Sequence, residues 1–101
     1  MINQSLGKKG IKYLGVCANT TQTACNWDYS NYDVVLLILV KSGHIIGSTI
    51  GIHIQGVGAY DIIAKYSGVE YQGIAWRSGN IITSCMVSNN SVAMHVYAIK
   101  F

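Results

Sequence analysis

Residues 32–43 read "YDVVLLILVKSG", and the seven apolar side chains from Val34 to Val40 run between an aspartate and a lysine. A strand with one wet face should alternate apolar with polar residues. This one has Val34, Leu36, Ile38 and Val40 on one face and Val35, Leu37 and Leu39 on the other. One face can fill the interior of a β domain. The second needs cover from a loop, a further layer or another copy of the chain, because extended apolar patches are rare on monomers. Two covers are open: the polar stretch 19–33, and self-association, which is the preferred expectation.

The surrounding sequence has the punctuation of β structure. Strands are expected over 11–18, 34–40, 45–54, 60–66, 69–77, 81–87 and 92–101, with turns at "KSGH", "SG", "SGN" and "SNNS". The stretch "AYDIIAKY", residues 59–66, also admits a short helix. Residues 19–33, "NTTQTACNWDYSNYD", read as the longest loop. About seven strands with short connections imply an all-β, jelly-roll-like antiparallel sandwich. The 101 residues form one domain, with residues 1–10 as a flexible N-terminal arm.

Within 45–54 the alternation places Ile46, Ser48, Ile50, Ile52 and Ile54 on the face expected to line the core. Ile45, Gly47, Thr49, Gly51 and His53 fall on the other, as does Gly43 just before them. Glycine inside a strand marks close approach by another backbone. The expected oligomer interface is therefore Val35, Leu37, Leu39, Gly47 and Gly51. The last strand, with Val92, Met94, Val96 and Ala98 opposite Ala93, His95, Tyr97, Ile99 and Phe101, is also apolar on both sides.

Composition narrows the function classes. Half the residues are apolar and 11% are charged, against roughly 25% charged in an ordinary soluble domain. The longest apolar run is far short of the roughly 20 residues of a spanning helix. The opening "MINQSLGKKGIKYLG" has lysines but no apolar stretch of signal length, so synthesis and retention in a cytoplasm are expected. The net charge of +3 is dispersed, which argues against a nucleic-acid footprint. Cys17, Cys25 and Cys85 match no disulfide framework and are read as free thiols.

Chemistry-bearing residues are few. Asp28 and Asp33 flank one loop and could face a sugar, although turn capping is the simpler role. Cys25 or Cys85 could pair with His53 or His95 only through geometry that a sequence does not display. His44, His53 and His95 lack metal-ligand spacing, "GVG" lacks a phosphate-loop lysine, and the sequons at Asn3, Asn19 and Asn89 matter only in a secretory pathway. No enzyme activity, metal or cofactor is expected. The best binding cluster is "CNWDYSNYD", residues 25–33, where Asn26, Trp27, Asp28, Tyr29, Asn31 and Tyr32 combine stacking rings with hydrogen-bonding groups. Trp76 and Arg77 beside the "SGN" turn could add a second contact. Trp27 and Tyr32 could instead plug one end of the sandwich.

The order of "DYSNYD", "VVLLILV", "IIGSTIGIHI" and the terminal "VAMHVYAIKF" resembles small C-terminal β domains of bacteriophage tail-fibre and receptor-binding proteins. The likeness spans residues 11–101, with Ala98 where that family commonly has glycine. It implies an oligomeric, favoured trimeric, head domain of the virion that is made in the host cytoplasm and adheres to a bacterial surface glycan or protein. A phage decoration protein with only protein partners and a small inhibitor of a host defence protein are the other readings.

Overall fold

A computed structural model of the chain describes residues 10–101. The strands are β1 (Gly10–Cys17), β2 (Thr23–Asp28), β3 (Val34–Lys41), β4 (His44–Ile52), β5 (Ala59–Tyr66), β6 (Val69–Ser78), β7 (Ile81–Val87) and β8 (Val92–Lys100). They form two four-stranded antiparallel sheets, ordered β1-β8-β3-β4 and β2-β7-β6-β5. The expected β-sandwich is present, with eight strands rather than seven. Of the arm expected at 1–10, Gly10 begins β1 and the rest lies outside the described residues.

The additional strand is β2, inside the stretch expected to be a loop. Its burial alternates, with Thr23, Cys25 and Trp27 turned partly inward and Ala24, Asn26 and Asp28 exposed. Asn26 sits at φ 54 in a break of register between Ala24 and Trp27, a bulge typical of edge strands. Polar outward residues and a local kink hide such a strand from a reading based on composition. The helical alternative for 59–66 is not taken. In β5, Tyr60, Ile62 and Ala64 are buried between exposed neighbours, the period of a strand.

Two hairpins have the same chemistry. Ser42-Gly43 and Ser67-Gly68 combine φ values of 52 and 77, and of 52 and 78, the pair of positive values that a two-residue type I′ turn requires. Lys41 therefore faces His44 and Tyr66 faces Val69, so each turn sets the register of its strands.

The core lies between the sheets, and it reverses the expected faces of β3 and β4. Val35, Leu37 and Leu39 are all 0% exposed, packed with Ile62, Tyr71, Ala75, Ile82, Met94 and Val96. Gly47 and Gly51 point the same way. A Cβ on Gly47 would lie 2.8 Å from the Ala64 Cβ, and one on Gly51 would lie 2.7 Å from the Tyr60 ring. Close approach is thus between the two sheets of one chain, at the β4–β5 edge, and these five residues face the inside of their own sandwich rather than a second subunit. Conversely Ile50 and Ile52, expected in the core, are exposed on the outside of β4. A shift of register at Leu39/Val40 separates Ile45, outside, from Ile46, which packs against the core.

The cysteines are a further correction. Cys17 at the end of β1 and Cys85 on β7 are joined by a disulfide, Cα–Cα 6.2 Å, leaving Cys25 as the free thiol. The odd count conceals a pair because the sandwich brings together residues 68 positions apart. The bond ties one sheet to the other.

The outside of the β1-β8-β3-β4 sheet carries the remaining apolar surface. Across its rows Val34 lies beside Ile52 and Ile99, Leu36 beside Ile50 and Tyr97, Ile38 beside Ser48 and His95, and Val40 beside Ile45 and Ala93. Past β8, Ile11, Tyr13 and Val16 continue the rows of Ile99, Tyr97 and His95. No charged side chain occupies these rows. Exposure reaches 61% at Ile11 and 68% at Ile45. The Tyr13 hydroxyl is hydrogen-bonded to His95 Nδ1 at 2.9 Å, and the Tyr13 and Tyr97 rings lie 5.0 Å apart.

Candidate functional site

Three connections, β2–β3, β4–β5 and β6–β7, meet at one end of the sandwich together with the C-terminus. Backbone bonds join them: Tyr29 N–H to Asn80 O at 2.8 Å, Arg77 N–H to Gly58 O at 2.9 Å, and Asp33 N–H to Ile99 O at 2.9 Å. The Asp33 carboxylate accepts from the Phe101 N–H at 2.7 Å. The opposite end carries the two tight Ser-Gly turns together with the β1–β2 and β7–β8 connections, which the Val87 N–H to Asn19 O bond at 2.9 Å joins.

The sequence-predicted binding residues divide here. Trp27 packs against the core, and its ring occupies the space that a Cβ on Gly15 would need, 2.4 Å away. Tyr29 is 1% exposed, with its hydroxyl donating to Gly79 O at 3.4 Å. Tyr32 also packs on the core, and its N–H bonds Tyr29 O at 2.9 Å. These three aromatics plug the sandwich, the alternative expected for Trp27 and Tyr32, which remain half-buried; the burial of Tyr29 overturns its role as a ligand contact. Asn26, Asp28 and Asn31 remain exposed. Asp28 Oδ1 accepts from the Ser30 N–H at 2.8 Å, and hydrogen bonding to Ser30 holds its carboxyl below the usual range, with Lys12 adding to the shift. Both loop aspartates therefore act as turn and chain-end acceptors.

The side chains of Trp76 and Arg77 are directed to different parts of the surface. Trp76 lies on the outer face of its sheet, in the row Ala59–Trp76–Ser84. A register shift between Trp76 and Arg77 then turns Arg77 to the loop end. Its guanidinium donates through Nη1 to Gly79 O at 2.7 Å and to His53 Nδ1 at 3.0 Å, and through Nη2 to Ile54 O. It stands 5.8 Å from the centre of the Tyr60 ring, within range of a cation–π contact. The Tyr60 hydroxyl donates to Ile52 O at 3.0 Å. Burial pushes that phenol's pKa up, the neighbouring Tyr29 hydroxyl pushes it further, and Arg77 opposes the shift.

Beside Arg77 lies an open cleft of about 510 Å³, lined by His53, Gln55, Gly56, Val57, Gly58, Arg77 and Gly79. Of these, the sequence singled out Arg77 as a contact and His53 only as a conceivable partner for a cysteine; the rest were not visible as site residues. The only cue was the glycine-broken "QGVGA", which has no phosphate-loop pattern. The Cys–His pairs conceivable from sequence are not assembled. Cys85 is in the disulfide, Cys25 Sγ donates to Ile82 O at 3.4 Å, and His53 and His95 bond Arg77 and Tyr13. Burial raises the Cys25 thiol pKa, the direction of an unreactive cysteine. Among the described residues no group of three or more His, Cys, Asp or Glu side chains could hold a metal ion, and no helix is long and apolar enough to cross a membrane.

No family model, curated protein or solved structure matches the chain.

Proposed function

We propose that this chain is a non-enzymatic, self-associating binding domain of the tail-fibre head type. Copies pack through the outer face of the β1-β8-β3-β4 sheet, and the loop end is presented to a receptor on a bacterial surface, a glycan in the first instance. The observation that carries the reading is the uncharged outer face of that sheet. Four strands about eight residues long give a flat face of roughly 500 Å², and its corrugated accessible area approaches the roughly 800 Å² per partner of a standard interface. Covering a side chain as exposed as Ile45 or Ile50 contributes about 1 kcal/mol, and a row of them offsets much of the cost of association. The face suits a second copy because apolar rows can interdigitate as stacked sheets do. The Tyr13–His95 bond already satisfies polar groups that drying would otherwise orphan.

The Cys17–Cys85 bond supports work outside a reducing cytoplasm, since disulfides persist in oxidising surroundings. A virion component made in the host cytoplasm and oxidised after release is compatible with it. The test joins light scattering on the purified chain with a pull-down on bacterial cells. A concentration-stable oligomer that binds cells supports the reading. A persistent monomer removes it, and an oligomer with no affinity for cells or glycans favours a decoration protein whose partners are all protein.

A further inference from the structure

We propose that the cleft between the β4–β5 and β6–β7 connections is an oxyanion pocket, taking the carboxylate or phosphate of an acidic saccharide through His53 and Arg77. This deepens the function proposed above and rests on the loop end being the binding end.

Charge is the first argument. Arg77 is drawn partly out of water at the floor of the cleft. Its terminal nitrogens bond Gly79 O, Ile54 O and His53 Nδ1, and its Nε is buried with no partner. Among the described residues no carboxylate pairs with it. A cation removed from water without a counter-charge is costly, and carbonyl dipoles offset only part of that cost. An anion arriving in the cleft supplies the missing charge, and no acidic side chain lines the cleft to repel it.

Proton placement is the second. A guanidinium can only donate, so His53 Nδ1 must accept from it, and the proton of neutral His53 then sits on Nε2. His53 is exposed, which leaves a ring N–H on the cleft wall for an incoming oxygen. The third argument is space. A Cβ built on Gly56 or Gly58 would meet nothing within 4 Å, so these lips are open and let a ligand reach the backbone. A cleft of about 510 Å³ falls in the range of small-molecule sites.

The experiment is an NMR titration of the full chain with glucuronate, inorganic phosphate and, as neutral control, glucose, at constant ionic strength. We expect saturable shifts of the His53, Gly56 and Gly58 signals with one or both anions and none with glucose. Glucuronate alone points to a uronic acid, and phosphate alone to a phosphorylated sugar. Arg77→Gln should weaken binding by roughly tenfold or more, the loss of a charge-assisted hydrogen bond. His53→Gln replaces an exposed side chain, should weaken binding in the same direction, and decides the matter if Arg77→Gln does not fold. Shifts that never saturate, equal shifts with glucose, or unchanged affinity in His53→Gln overturn the assignment. Saturable glucuronate binding by a chain that neither oligomerises nor adheres to cells would refute the proposed function and leave the pocket standing. Adhesion without saturable anion binding would do the reverse.

Discussion

The outer faces of the two sheets are built from strands of similar length and burial, yet they meet water differently. On the β2-β7-β6-β5 sheet, Asp61, Lys65, Glu70 and Gln72 are exposed beside Ile63, Ile74 and Trp76, and Lys65 lies opposite Glu70. That is the mixed surface of a strand with one wet side. On the β1-β8-β3-β4 sheet the corresponding positions are Leu36, Ile38, Ile45, Ile50 and Tyr97. The first face loses little by staying in water, whereas the second gains only when it is covered. Charge is sparse throughout the chain, but only the outer rows of the β1-β8-β3-β4 sheet lack it altogether.

The sharpest way to break the comparison is to cut what binds the two sheets together. Closing a loop of 68 residues removes chain entropy worth about 4 kcal/mol in the unfolded state. Cys85→Ser, or reduction, should lower the denaturation midpoint by a corresponding amount, and urea titrations with and without reductant measure it. Leu37→Ala, inside, should cost about 2–5 kcal/mol by leaving a cavity. Its neighbour Leu36→Ala, outside, should cost less in the monomer. Equal costs would contradict the assignment of inner and outer faces. Gly51→Ala tests the approach of the sheets from the opposite direction, since its methyl would press on the Tyr60 ring; overpacking of this kind costs about 1–3 kcal/mol.

A matched pair then asks what each outer face is for. Ile50→Lys should dissociate the proposed oligomer, with a change in monomer stability within about 0.5 kcal/mol. Ile63→Lys, equally solvent-facing on the other sheet, should leave the mass in solution unchanged. Oligomers surviving Ile50→Lys but not Ile63→Lys would exchange the roles of the two faces. The smallest effect is expected at the loop end. The Asp28 carboxyl has a lowered pKa in the folded chain, so its contribution is complete above the unfolded value and fades as pH falls through the folded one. Asp28→Asn should flatten the acid limb of stability over that interval alone.

Much of the β framework was legible because its signals are local. The Ser-Gly turns demand positive φ, and runs such as 81–87 and 92–101 have the length and composition of strands. β2 was not legible, since an edge strand with polar outward residues and a bulge looks like a loop until β7 pairs with it. At the site, the aromatic cluster 25–33 was found with two roles open, ligand contact or, for Trp27 and Tyr32, a plug of the sandwich end, and its sequence did not choose between them. Trp27, Tyr29 and Tyr32 close the end of the core, because a hydroxyl or indole nitrogen does not keep a large ring in water when a void is available. His53 was weighed only as a partner for a cysteine and Gly56–Gly58 carried no pattern of their own; they matter through their position around Arg77, which comes from β6.

By itself the sequence determined that the chain forms sheets and that β3 has no face suited to water, since both follow from residue types and the two-residue period of a strand. Only the tertiary structure decided which face is inside. That choice depends on Gly47 and Gly51 meeting Tyr60 and Ala64 across the sandwich, a steric fit between residues that alternation ranks alike. The pairing of Cys17 with Cys85 was decided the same way, because distance in space depends on how the sheets stack rather than on spacing along the chain.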